Sequence, residues 1–161
     1  MLLPVVLVWV GAACSPTFNW REVALIDSGV TALLPCKADH GARAVPLAGK
    51  ATELHMMGCT AGGQTYTVAV ADTGNPASAA LALTQWRAAT LASLQVQANT
   101  PPTAIEGSVT VQGRQADGQA VAAQVRWFIR QGRVFQAMAL APRLDPGQAE
   151  TFFAGIKPAH P

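Results

Sequence analysis

Cys36-x3-His40 and His55-x3-Cys59 are the residues best equipped for chemistry in this chain: two thiols and two imidazoles in mirror-image spacing. Zinc or copper accepts such a Cys/His set. The same two thiols can instead form a disulfide. It would close a loop of about two dozen residues, a constraint worth about 3 kcal/mol in the chain-entropy relation. Spacing separates the two readings. Residues at i and i+4 share a face on a helix, but residues 51–59 (ATELHMMGC) read as a strand, where that step spans about 13 Å. His55 and Cys59 could then meet one ion only across a sharp bend, which Gly58 supplies in part. A Cys36–Cys59 disulfide and no cofactor are therefore expected. Metal handling through Cys36, His40, His55 and Cys59 stands as the alternative. Met56-Met57 beside His55 invites copper too, yet adjacent strand residues face opposite ways, and core filling accounts for them.

Other chemistries find less support. A hydrolytic triad needs a nucleophile held by a base and an orienting acid. His40 and His55 sit in or near one hairpin, His160 is next to last, and neither Ser28 nor Ser78 lies in a Gly-x-Ser-x-Gly elbow. Gly58-x3-Gly62-Gly63 lacks the Lys-Ser or Lys-Thr of a phosphate loop and precedes a strand. The acids, among them Asp72, Glu106, Asp117 and Asp145, fall mostly at turns and caps. A non-catalytic protein is expected. Arg126, Arg130 and Arg133 form the one local concentration of charge, a candidate stripe for an anionic lipid or glycan.

The elements that would position these residues follow from periodicity and punctuation. Residues 31–36 make a short apolar strand ended by Pro35, and residues 37–50, with Gly41, Pro46 and Gly49, read mostly as loop or irregular hairpin. Residues 51–57 and 64–71 alternate as a hairpin around Ala61-Gly62-Gly63. Asn75-Pro76 then opens a helix running to about Gln95, with Ala79, Leu83, Trp86, Thr90 and Leu94 as its apolar stripe. Thr100-Pro101-Pro102 breaks it. Strands return at residues 105–111, 119–130 and 133–140. In the long one, Val121, Ala123, Val125, Trp127 and Ile129 share a face, while Gln124, Arg126, Phe128 and Arg130 take a wetter one. Asp145-Pro146 starts a second short helix, with Gln148 placed to close a capping box.

The chain start carries no charge before Arg21. Leu2 to Val10 is apolar over a length suited to an export signal and too short for a span, which needs about 20 residues. Ala12-Ala13-Cys14-Ser15 resembles the cleavage site of bacterial lipoproteins. That resemblance implies a signal over residues 1–13, a lipidated tether over 14–24 anchored at Cys14, and one domain over 25–161. It also implies the cell envelope, with Ser15 favouring the outer membrane, facing the periplasm. An even remainder of two cysteines suits such an oxidising compartment. The expected partners are the membrane, through the lipid, and an envelope protein. Nucleic acid is not expected, because 11 basic against 9 acidic residues in 161 give a net charge of only +2.

Strands, helix, strands and helix in that order specify an α+β domain. The expected form is one antiparallel sheet of about six strands packed with one long and one short C-terminal helix. With Pro35-Cys36, the hairpin over 51–71, the helix around Trp86 and Ala149-x2-Phe152-Phe153, this order resembles the PsbP-like superfamily, whose relatives include a Ran-binding nuclear import factor. The resemblance implies a small binding or assembly module.

Overall fold

The alternation of residues 64–72 makes a central strand buried on both faces, with Tyr66, Val68 and Val70 on one side and Ala69 and Ala71 on the other. The computed structural model describes residues 17–96, 103–105 and 107–159. The expected signal (1–13), Cys14, Ser15, the Thr100-Pro101-Pro102 breaker, Glu106 and His160 lie outside the described residues. In chain order the strands are β1 (Arg21–Leu25), β2 (Val30–Leu34), β3 (Asp39–Leu47), β4 (Lys50–Ala61) and β5 (Gln64–Asp72). After helix α1 (Pro76–Ser93) come β6 (Thr103–Ile105), β7 (Ser108–Arg114), β8 (Ala120–Arg130) and β9 (Arg133–Ala141). Helix α2 (Pro146–Ala154) and β10 (Lys157–Pro158) complete them.

The expected α+β domain with a single sheet of about six strands gives way to a sheet-rich fold. Seven strands form one antiparallel sheet, in order β3-β4-β5-β9-β8-β7-β6, and β1-β2-β10 form a second. Three stretches account for the difference. Residues 37–50 hold β3, paired along its whole length with β4, from Asp39 opposite Gly58 to Leu47 opposite Lys50. Gly41 and Pro46 are tolerated there because β3 is an edge strand, where one row of backbone groups needs no partner. Residues 21–24, read as tether, belong to β1 and pair with β2. The expected strand at 105–111 is a hairpin of β6 and β7, with Ile105 opposite Ser108.

Both faces of the large sheet are covered. On one, Tyr66, Val68, Phe135, Ala137 and Ala139 meet Leu25, Ala32 and Leu34 of the small sheet and Phe152 and Phe153 of α2. On the other, α1 packs Ala79 and Ala82 against Ala69, Ala71 and Val134, and Leu94 joins Val111, Val121, Ala123 and Val125. Both helix starts are as expected. The Asn75 side chain accepts the Ser78 N–H at 2.9 Å, and the Asp145 carboxylate accepts those of Gly147 and Gln148. The capping box closes differently, however: the Asp145 N–H donates to Gln64 on β5 at 2.6 Å, not to Gln148. At its far end α1 stops on β7, where the Arg114 N–H donates to the Leu94 carbonyl. Gly113 permits this, since a Cβ there would strike that carbonyl.

Cys36 and Cys59 form a disulfide, joining the segment after β2 to β4 across 23 positions. Replacing both by Ser should lower unfolding free energy by about 3 kcal/mol. Urea denaturation of that variant, beside the native protein with and without reductant, reads this as a lower midpoint, and reductant should leave the variant unchanged.

Candidate functional site

Helix α1 does not close evenly on the sheet. Near its start small side chains face each other and let the backbones approach, whereas Trp86, Thr90 and Leu94 farther along stand over larger neighbours. At the sheet edge β3 reaches toward the helix, and the Ala48 N–H donates to the Gln85 side chain at 2.8 Å. Between them lies a cleft of about 480 Å³, within the range of small-molecule sites. Its walls are mainly apolar: Val45, Leu47, Leu54, Met56, Trp86 and Met138.

Polar groups are few and placed. Gln136 on β9 lies in the wall, and its Oε1 accepts from Thr90 Oγ1 at 2.6 Å and from Trp127 Nε1 at 2.8 Å. Those two bonds fix the amide and leave its NH2 as the group able to meet a ligand. Arg43 lines the cleft from exposed β3, and among the described residues no carboxylate does. Trp86 and Trp127, on the apolar faces of their elements, pack half-buried against the core. Trp86 also forms a cleft wall, and Trp127 lies beneath Arg87, whose guanidinium is 5.4 Å from its ring centroid. Met56 and Met57 face opposite sides of β4, the first into the cleft and the second into the core.

The Cys/His set does not assemble as a metal centre. Both thiols are consumed by the disulfide, and among the described residues no three His, Cys, Asp or Glu side chains are placed to hold an ion. His40, on β3 opposite Met57, lines an open hollow with Cys36 and Cys59. His55 lies elsewhere, opposite Ala42, with Nε2 at 3.5 Å from Glu53. Unbroken β4 separates it from Cys59 by four residues, the spacing expected to keep them apart.

The arginine stripe divides. Arg126, Phe128 and Arg130 do share a face of β8, but that face is covered rather than wet, because α2 and the small sheet lie over it. Arg126 Nη1 donates to the Phe153 carbonyl at 3.1 Å, with the guanidinium 5.3 Å from the Phe153 ring centroid. Arg133 leaves the group and donates from Nε to Asp72 at 3.1 Å. Lys157 takes its place, carried in by β10. The sequence offers little sign of this, because a two-residue strand has no periodicity to read.

Two titrating groups are displaced. The Asp72 carboxyl is held below its ordinary value by the Gly74 N–H and then by Arg133. Burial pushes the Tyr66 hydroxyl up, against the opposing effect of the Gln64 amide that donates to it at 2.7 Å.

No family model matches this chain, and no curated protein matches it.

Two measurements follow from this geometry. Gln136→Leu removes the acceptor shared by Thr90 and Trp127, and should cost about 1–3 kcal/mol in denaturant unfolding. Asp72 has a depressed folded-state pKa, so its contribution is present above the unfolded value near 4 and fades as pH falls through the folded one. The stability difference between native protein and Asp72→Asn should therefore shrink on acidification below about pH 4, measured as paired melting curves.

Proposed function

We propose that this chain is a non-catalytic binding module of the bacterial envelope, held at a membrane surface by a lipid on Cys14, with the cleft beneath α1 as its ligand site. The observation that carries the binding reading is the cleft itself: a concave, mainly apolar site with one oriented amide and one cation at its rim. Such a lining suits a small apolar or amphiphilic ligand better than a reaction that needs converging acids and bases.

Support for the anchor comes from the start of the fold. Asn19 donates its N–H to the Pro35 carbonyl at 2.7 Å, and the Phe18 ring lies on Gly62 of the β4–β5 turn. Phe18, packed on that turn, is four residues from Cys14 in sequence, a reach of about 14 Å at most. A lipid there would hold the β4–β5 turn close to the bilayer. The Cys36–Cys59 disulfide suits an oxidising compartment, and an outer-membrane position facing the periplasm is the form of the proposal that Ser15 favours.

Two experiments test the two parts. Mass spectrometry of protein taken from envelope membranes should find the mature N-terminus at Cys14 with diacylglyceryl and acyl mass added, and Cys14→Ser should shift the protein out of the membrane fraction. A plain N-terminus at Cys14 or elsewhere would remove the anchor. An apolar naphthylamine dye should gain fluorescence in the native protein. Ala89→Trp, which sets a large ring into the cleft from an exposed helix position, should lower dye affinity about tenfold without lowering the melting temperature. Equal dye binding in both proteins would reject the cleft as the site.

A further inference from the structure

We propose that the cleft takes a single-chain zwitterionic amphiphile, a lysolipid with a phosphoethanolamine head, whose tail lies beneath α1 and whose head lies in the hollow beside the disulfide. This names the ligand class of the binding function proposed above and rests on it. Cleft and hollow form one trough. The hollow measures about 640 Å³, and Met56 and Thr67 line both spaces. Strand register shows how they join. Gly41, Met56, Ala69 and Gln136 stand opposite one another across β3, β4, β5 and β9, and Asp39, Gly58, Thr67 and Met138 make the next row. From Leu54 in the cleft to Thr60 in the hollow, β4 runs about 20 Å, a length that suits an elongated ligand.

Gly41 marks the junction. It lies inside β3, opposite Met56, and lines the hollow. A Cβ there would meet Met56 Cγ at 3.8 Å, an ordinary contact, and the residue is not in the left-handed region. Among the described residues, then, neither crowding nor backbone conformation calls for glycine at this position. A glycine inside a strand often marks the place where a ligand passes close to the backbone.

The lining changes character along the trough. Beneath α1, Leu47, Leu54 and Trp86 offer an apolar bed for a tail. In the hollow, exposed Lys37 and Asp39 bring one charge of each sign. Thr60 and Thr65 stand beside them, their hydroxyls bonded to each other at 3.0 Å. A head bearing phosphate and ammonium matches both charges, Lys37 meeting the first and Asp39 the second. A fatty acid would set its carboxylate near that of Asp39, and like charges brought together are costly. Between tail and head lies Gln136, whose Oε1 is taken by Thr90 and Trp127, so its NH2 donates to the ester carbonyl. Gln136 is two strands and one row from Gly58, about 12 Å, an interval the glycerophosphate spans.

Calorimetric titration of the full chain with lysophosphatidylethanolamine, palmitate and glycerophosphoethanolamine, each below micelle formation, tests this. The lysolipid should bind saturably, one per chain and about tenfold more tightly than palmitate, and the head without a tail should not bind. Gly41→Leu, which sets a side chain over the junction, should lower lysolipid affinity about tenfold with melting temperature and dye binding unchanged. Lys37→Gln combined with Asp39→Asn should erase the preference over palmitate. Palmitate bound as tightly as the lysolipid, or lysolipid affinity unmoved by Gly41→Leu, overturns the trough. Dye that still enters the cleft in that case rejects the trough alone, whereas equal dye binding in native protein and Ala89→Trp rejects cleft and trough together.

Discussion

The fold depends on the contact between Tyr66 and Phe152. Tyr66 is fully buried at the middle of the large sheet, and its ring meets Phe152 of α2 edge-on with centroids 5.3 Å apart. Trp20, just before β1, meets the same ring from another side at 6.1 Å. One side chain thus touches both α2 and the segment leading into the small sheet, the two layers that cover this face. Its hydroxyl needs a partner at that depth, and the Gln64 amide donates to it. The other end of Gln64 accepts the Asp145 N–H at the start of α2. Burial of a phenol, satisfaction of its oxygen and the placing of α2 are therefore one arrangement, and two of its members are only two residues apart on β5.

Packing on the two faces of the sheet differs in kind, and the cleft follows from that difference. On the Tyr66 face, large aromatic rings fill the space between layers, with Phe152 and Phe153 at 5.0 Å and Phe128 stacked on Phe135 at 4.7 Å. On the α1 face, alanines opposite alanines bring helix and sheet together near the helix start. A helix held close at one end and received by Gly113 at the other cannot also follow the sheet edge where β3 rises beside it. Space remains between Trp86 and Met56, and the bonded group Thr90–Gln136–Trp127 keeps its polar wall from collapsing into it.

What could be read in the residues was whatever announces itself locally. The Asn75-Pro76 and Asp145-Pro146 starts, the alternation of β5 and β8, and the pairing of the two cysteines left over after Cys14 are all near-neighbour signals, and the structure contains each of them. What escaped was set by distant partners. β3 carries Gly41 and Pro46 and exposes most of its side chains, so nothing in it signals a strand until β4 lies alongside. β10 is two residues long and exists only because β2 has a free edge. β1 on one side of β2 and β10 on the other make the second sheet, which overturned the one-sheet expectation and, with α2, covers the supposedly wet face of β8. The same omission concealed Lys157, so the arginine stripe was legible as a charge concentration but not as a pocket.

The two ends of β5 have different surroundings. At one end Phe18 lies on Gly62, and the disulfide shares a hollow with Lys37 and Asp39. At the other lies the Arg133–Asp72 pair, with Arg130 opposite Arg133 on β8. The apolar cleft lies on the α1 face, opposite the face that the small sheet and α2 cover, and opens along the side of the helix. The two faces of the sheet thus do different work: the aromatic face fixes the second sheet and α2 in place, and the alanine-led face leaves room between Trp86 and Met56.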